Sequence, residues 1–368
     1  MEIQENISLA QYTTLDIGGP ARWFVQARSE AEIVEVVEFA SGRSLPLFVL
    51  GGGSNLLVAD AGFPGVVLHI GLRGQRHEEA GTKAMAGTNS DVIYAVAAGE
   101  EWDSFVATTV AENCAGVECL SGIPGTVGGT PVQNVGAYGQ EVASTIVRVR
   151  AFDRKTQQWV EFDNAACQFA YRSSLFNTTA RQRYIVSEVT YRLRRGGAPQ
   201  ISYKDLAQKF AHSENPSPTL AAVREMVREI RHSKGMLRVA GDADCRSAGS
   251  FFKNPVIAAA RYAQLVEKFD NIPHYTVGEG PADEESAGAK FVKIPAAWLI
   301  EQAGFPKGTT IAAIGDTVGI SRRHTLALIN RGGATAAQMI ALRDTIRSRV
   351  TAKFGIVLEQ EPVYLSGA

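Results

Sequence analysis

The chain has 368 residues, 45% hydrophobic and 20% charged, with 37 Lys and Arg against 38 Asp and Glu and a formal net charge of −1. That length predicts two or three domains with a core deep enough to enclose a cofactor, and the balanced charge excludes an electrostatic case for nucleic acid or an anionic membrane surface. The four cysteines, Cys114, Cys119, Cys167 and Cys245, form no C-x-x-C pair and no zinc-site spacing, so reduced buried thiols in a cytoplasmic protein are expected, with no metal. Residues 1–10 lack the pattern of a signal peptide, and no segment is apolar for long enough to span a bilayer.

In chain order, residues 21–25 read as a strand. Ser29 and Glu32 then form a capping-box pattern ahead of Ile33, Val36, Val37 and Ala40 at helical spacing. A short apolar run at 47–50 stops at Gly51-Gly52-Gly53-Ser54-Asn55, and 66–70 is a further strand. The polar stretch 75–90 predicts a connection. After it, 102–113 is helical, 122–139 is a glycine- and proline-rich series of turns, 146–152 and 184–193 are half-exposed strands, and 220–233 is a helix. A third segment starts near Gly235, with helices over 258–269 and 296–303, an acidic surface loop at 278–289 and a strand at 326–330. Thr335 and Gln338 make a second capping-box pattern before Met339, Leu342, Ile346 and Val350. Gly355 ends that helix, and 356–358 starts a final strand.

Two glycine loops carry the first chemical signal. Successive glycines at 51–53 let backbone N–H groups converge on one point without Cβ interference, which suits a pyrophosphate, and Ser54 and Asn55 add side-chain donors. A tight structural turn accounts for the loop equally well. It is neither a P-loop nor a G-x-G-x-x-G dinucleotide fingerprint. The second loop, Gly122-Ile123-Pro124-Gly125-Thr126-Val127-Gly128-Gly129, also combines free donors with low bulk, and Gln133-Asn134-Val135-Gly136-Ala137-Tyr138-Gly139 follows it. Two such loops could clamp one extended ligand from both sides, as a dinucleotide cofactor requires.

The segments 50–57 and 122–141, the pair Tyr171-Arg172 and the block Gly249-Ser250-Phe251-Phe252-Lys253-Asn254-Pro255 occur in this order. Together they resemble the UDP-N-acetylenolpyruvoylglucosamine reductase family over about 13–364, and Tyr203 with Tyr275 resembles the tyrosine pair of its tyrosine-loop subtype. That resemblance implies an α+β chain: a two-part FAD-binding α/β fold of the vanillyl-alcohol-oxidase-like type plus a third α+β substrate-binding domain. The expected divisions are 1–75, 76–235 and 236–355, with 356–368 returning to the FAD site. It further implies a cytoplasmic enzyme of cell-wall precursor synthesis, expected as a monomer. FAD is held non-covalently, NADPH donates hydride, and the enolpyruvyl group of UDP-N-acetylenolpyruvoylglucosamine is reduced to give UDP-N-acetylmuramate.

The resemblance also assigns residues. Arg172 binds the substrate carboxylate, Ser250 donates a proton, and Glu361 is the catalytic acid, protonated through a raised pKa. Strand alternation puts Glu359 and Glu361 on one face, so periodicity alone does not choose between them. Without the family pattern Arg172 reads as a salt-bridge arginine and Ser250 as part of a Gly-Ser turn. Cofactor contacts fall to Gly51, Gly52, Gly53, Ser54, Asn55, Gly122, Ile123, Pro124, Gly125, Gly128, Gly129, Tyr171 and Arg231. Substrate contacts fall to Tyr203, Lys234, Asn254, Tyr275 and His324, the last either a positive charge for an anion or a core histidine. Two other readings use the same scaffold: a flavin oxidase of a sugar or alcohol, and a non-catalytic nucleotide-sugar binding protein.

Overall fold

The computed structural model describes residues 1–79, 90–211, 217–277 and 290–367. The acidic loop expected at 278–289, and positions 80–89 of the expected polar connection, lie outside them.

The chain opens with β1 (Gln4–Ser8), β2 (Pro20–Ala27), helix α1 (Glu30–Ser41), β3 (Leu47–Leu50), β4 (Leu56–Val58) and β5 (Phe63–Ile70). The sheet order is β1-β2-β5-β3, with β2 and β3 both parallel to β5. Parallel neighbours need a crossover, and α1 supplies one between β2 and β3. Its stripe of Ile33, Val36, Val37 and Ala40 is buried, worth about 1.5–3 kcal/mol for each of the three larger side chains. Ser29 accepts from the Glu32 amide, but the return arm of the expected box is displaced by one residue. The Glu32 carboxylate takes the amide of Arg28 at 2.6 Å.

The second sheet is antiparallel and built from β6 (Gln75–Glu79), β7 (Asp91–Ala97), β8 (Cys114–Ala115), β11 (Ile146–Asp153), β12 (Gln158–Asp163) and β13 (Tyr184–Arg195). Helix α2 (Trp102–Ala111) and the small hairpin β9 (Gly136–Ala137) and β10 (Gln140–Glu141) are inserted along it. The order is β12-β11-β13-β7-β6, with β8 also on β13. Strand β6 corrects the expectation of a connection from residue 75. All five of its residues are exposed, so no apolar alternation betrays it. It is held by the β7 ladder and by Arg76 on Glu188 at 2.6 Å. Helices α3 (Lys204–Ala211) and α4 (Leu220–Ser233) follow.

The remainder comprises β14 (Val256–Ala258), α5 (Ala259–Val266), β15 (Tyr275–Val277), β16 (Phe291–Lys293), α6 (Ala296–Gln302), β17 (Val318–Ile320), β18 (Leu328–Asn330), α7 (Ala336–Phe354) and β19 (Val363–Leu365). Met339, Leu342, Ile346 and Val350 of α7 are buried with Phe251, Phe252 and Leu358 in one core. Both arms of the Thr335–Gln338 capping box are present, and Gly355 closes the helix in the left-handed conformation at φ 65°. Asp60, between β4 and β5, accepts the amides of Ala336 and Ala337 at 2.7 and 2.9 Å. It therefore joins the first sheet to the start of α7.

The last strand does not start at 356. Residues 359–361 run against 251–253, with Lys253 N donating to Glu359 O at 2.9 Å and Glu361 N to Phe251 O at 3.0 Å. Strand β19 begins only past Pro362, whose missing N–H interrupts a ladder, and it pairs in parallel with β4. Glu361 is thereby carried to the end of the first glycine loop.

Candidate active site

Residues from the first sheet, the second sheet and the C-terminal region together line a cavity of about 640 Å³, a volume that suits a cofactor or small-molecule site. Leu47–Leu50, the first glycine loop, Ile123, Pro124 and Gly125 are all part of its lining.

The two glycine loops touch backbone to backbone. A Cβ on Gly52 would lie 2.5 Å from Gly125 Cα, and one on Gly125 would lie 2.9 Å from Ser54 Oγ. Gly53, at φ 59°, is bound by conformation as well, and its added Cβ would fall on the carbonyl of Tyr12. The amides of Gly52, Gly53, Ser54 and Asn55 have no hydrogen-bond partner among the described residues. They are free to serve an anion.

The second loop is different. The amide of Gly122 donates to Asp103 Oδ1 at 2.5 Å and its carbonyl accepts from Arg231 Nε at 3.1 Å. Gly122 therefore anchors the loop and does not line the cavity. Gly128 and Gly129 line it, but their amides are spent on Ala98 O and Thr126 O. Their contribution is low bulk, and a Cβ on Gly129 would meet nothing within 4 Å. Arg231 is buried and also donates to Met236 O at 2.9 Å. Asp103 receives Arg224 at 2.6 and 2.9 Å and Arg228 at 2.6 Å, and these bonds outweigh its burial to hold its carboxyl below the usual range.

At another part of the wall stand Arg172, Glu361, Ser250 and Gly249. Arg172 sits at the apex of a tight turn closed by paired bonds between Ala170 and Ser173. Its φ of 54° lies in the left-handed region, which is costly for a residue with a side chain. Its Nη2 donates to Gly136 O at 2.7 Å and its Nε faces Glu361 Oε1 at 3.2 Å. Burial pushes the Glu361 carboxyl above the ordinary carboxylate range, against the pull of Arg172 and Lys253. Glu359 is outside the cavity, exposed, with Lys253 Nζ 2.6 Å away. Lys253 thus spends its ammonium there. Asn55 completes the corner: its side chain bonds Gln133 and the Glu361 carbonyl, and its own carbonyl accepts from Val363 N at 2.9 Å.

The positions with a substrate role in the family pattern divide. Tyr203, Lys234, Asn254 and His324 line the cavity. Tyr203 packs edge-on against Tyr138, with centroids 5.5 Å apart, and Lys234 reaches Asp205 at 3.3 Å. Asn254 Oδ1 accepts the amide of Ala296 at 2.9 Å, capping the start of α6. Burial, with Lys234 and Lys307 nearby, pushes His324 down to about 4, so it is neutral at pH 7 and offers no positive charge. Tyr275 is 58% exposed on β15 and is off the cavity wall. Tyr171 is off it too, its ring covered by Lys293 Nζ at 4.0 Å.

Sequence reasoning passed over several wall residues. Thr126 Oγ1 is buried on the wall with no hydrogen-bond partner. Arg154 also lines the cavity, its guanidinium donating to the Gln182 carbonyl at 2.7 Å. Thr126 gives no signal in sequence, being one hydroxyl in a loop of small residues. An orphaned hydroxyl, four unpartnered amides and apolar lining suit a flavin dinucleotide, with donors for a diphosphate and apolar surface for rings.

Residues 21–162 match the model of an FAD-binding domain, and residues 241–365 match that of the UDP-N-acetylenolpyruvoylglucosamine reductase C-terminal domain. The chain is 44% identical over 363 residues to the UDP-N-acetylenolpyruvoylglucosamine reductase of Thermobifida fusca, covering 98% of this chain and 97% of that one. It is 42% identical to the reductase of Salinispora arenicola, covering 98% and 95%. The crystal structure of the reductase from Thermus caldophilus has the same fold over the whole of both chains, with a TM-score of 0.62 at 24% identity. The chain is an FAD-dependent oxidoreductase, and it belongs to the UDP-N-acetylenolpyruvoylglucosamine reductase family.

Proposed function

We propose that this chain reduces the enolpyruvyl group of UDP-N-acetylenolpyruvoylglucosamine to give UDP-N-acetylmuramate, with NADPH as the source of hydride, in peptidoglycan precursor synthesis in the cytoplasm. The observation that carries the reading is the meeting of Arg172, Glu361 and Ser250, from three distant segments, on the wall of a cavity that also holds the unpartnered amides of 52–55. We assign 1–75 and 76–235 to the two parts of the FAD-binding unit, 236–355 to the substrate-binding unit and 356–368 to the returning strand, in a monomer.

FAD, when bound, supplies the hydride that the methylene carbon of the enolpyruvyl group accepts. The amides of 52–55 and Thr126 Oγ1 would hold its diphosphate, and Ile123, Pro124, Gly125, Gly128 and Gly129 would line the space it fills. The remaining work falls to side chains. The Arg172 fork, already aimed by Gly136 O, grips the substrate carboxylate. Glu361 in its neutral form, which burial favours, donates a hydrogen bond to the same carboxylate. Both stabilise the negative charge that spreads from the adjacent carbon into the carboxylate. Ser250 Oγ–H then delivers the proton to that carbon, and the alkoxide left behind takes a proton from solvent. Arg231, itself on the cavity wall, fixes Gly122 and Met236. Tyr203, Lys234, Asn254 and a neutral His324, all on the wall, would face the nucleotide sugar, with Tyr275 off the wall.

Incubation with NADPH and UDP-N-acetylenolpyruvoylglucosamine should yield, by mass spectrometry, a product heavier by two hydrogens in strict proportion to NADPH consumed. NADPH oxidation that proceeds equally without the nucleotide sugar, with oxygen consumed, would assign the chain an oxidase activity instead.

A further inference from the structure

Glu118 is wholly buried, in a short turn just ahead of Gly122. No basic side chain pairs with it among the described residues, yet its carboxylate has three donors from three segments. Oε2 accepts from Gly116 N at 2.7 Å, and Oε1 accepts from Gln140 Nε2 at 2.8 Å and from Gln200 N at 3.0 Å. A second set of bonds runs in parallel. Gln140 Oε1 accepts from Cys119 N at 2.7 Å, and Cys119 Sγ donates to Gln200 O at 3.3 Å. An interior carboxylate is retained at a cost unless its bonds do something an apolar side chain could not.

Two of the three segments meet again at the cavity. Gln140 directly follows the loop that carries Tyr138, and Gln200 lies three residues before Tyr203. Tyr203 stands perpendicular to Tyr138 at 5.5 Å. The two loops touch beside them, since a Cβ on Gly139 would lie 2.2 Å from Ser202 Oγ.

We propose that Glu118 is a positioning residue that holds the Tyr203 segment against the Tyr138 loop and so sets the affinity for the nucleotide sugar. The inference rests on the reading of Tyr203 as a contact to that substrate.

The test uses the full-length holoenzyme and the steady-state KM for UDP-N-acetylenolpyruvoylglucosamine. Gln200→Pro deletes the backbone donor of the Tyr203 segment and leaves Glu118 its other two partners, Gly116 N and Gln140 Nε2. Glu118→Leu removes the acceptor, and should that protein fail to fold, Gln200→Pro carries the test alone. The expected result is a KM raised about tenfold, the loss of one hydrogen bond to a charged acceptor, with kcat and FAD content unchanged. It also includes no further rise when Gln200→Pro is added to Tyr203→Ala, because both act through one side chain. An unchanged KM in Gln200→Pro alongside a raised KM in Tyr203→Ala would overturn the role of Glu118, and so would full additivity. Tyr203→Ala with an unaltered KM would overturn the reading of Tyr203, and this inference with it.

Discussion

Replacing Gly52 by Ala tests whether the touching glycine loops form the cofactor cradle. The added Cβ would stand 2.5 Å from Gly125 Cα, 2.9 Å from Gly125 C and 3.1 Å from Thr126 N, all backbone atoms. Carbon atoms rest about 3.5–4.0 Å apart, so the loops must separate by roughly 1 Å. Overpacking of this size costs about 1–3 kcal/mol. In the free protein the loops can part, but binding must bring the amides of 52–55 and Thr126 back onto one diphosphate. The FAD dissociation constant should therefore rise about 5- to 150-fold at 1.4 kcal/mol per decade, read by titrating apoprotein with FAD and following flavin fluorescence. Gly129→Ala is the counterpart. Its φ is not in the left-handed region and its Cβ would meet nothing within 4 Å. The apoprotein should melt within about 1 °C of the parent, while the methyl group enters the cavity and weakens FAD. Wild-type FAD affinity in Gly52→Ala would refute the requirement for close loops, and wild-type affinity in Gly129→Ala would remove that wall from the cofactor site.

Ser250→Ala should leave flavin reduction by NADPH intact and slow flavin reoxidation by the enolpyruvyl substrate, read by stopped flow; equal loss in both half-reactions would end the proton-donor role. Burial raises the Glu361 pKa, so its neutral form persists above the usual carboxylate range and is lost as pH rises through the raised value. The kcat profile should accordingly have an alkaline limb that Glu361→Gln flattens; an unchanged limb in that variant would place the titration elsewhere. Asp60→Ala removes the two bonds to the start of α7, and should lower stability by about 0.5–2 kcal/mol in urea titration. No shift in the midpoint would show that solvent replaces the carboxylate fully.

The glycine loops were legible because close backbone approach leaves few residue types available, and Gly52 against Gly125 shows the physical demand directly. The α7 helix was equally readable, since cap, stripe and left-handed Gly355 all speak in one dialect. Glu361 and Glu359 were inseparable by alternation. What distinguishes them is tertiary: one is carried into the cavity beside Arg172, the other is left outside with Lys253. Strand β6 left no pattern because its residues are all exposed. Loop composition overstated the free donors of the second loop, since whether an amide is spent on Ala98 or Asp103 depends on distant segments. Glu118 had one available signal, a lone carboxylate inside the apolar run Val117-Glu118-Cys119-Leu120, but its three partners are set by folding.

The most direct test of the central claim is an anaerobic absorbance spectrum of the purified protein, recorded before NADPH, after NADPH, and again after UDP-N-acetylenolpyruvoylglucosamine. Bleaching of a flavin band by NADPH and its full return on adding the nucleotide sugar is the predicted result. A band that bleaches and returns only with oxygen, or no flavin band even after reconstitution with FAD, would contradict it.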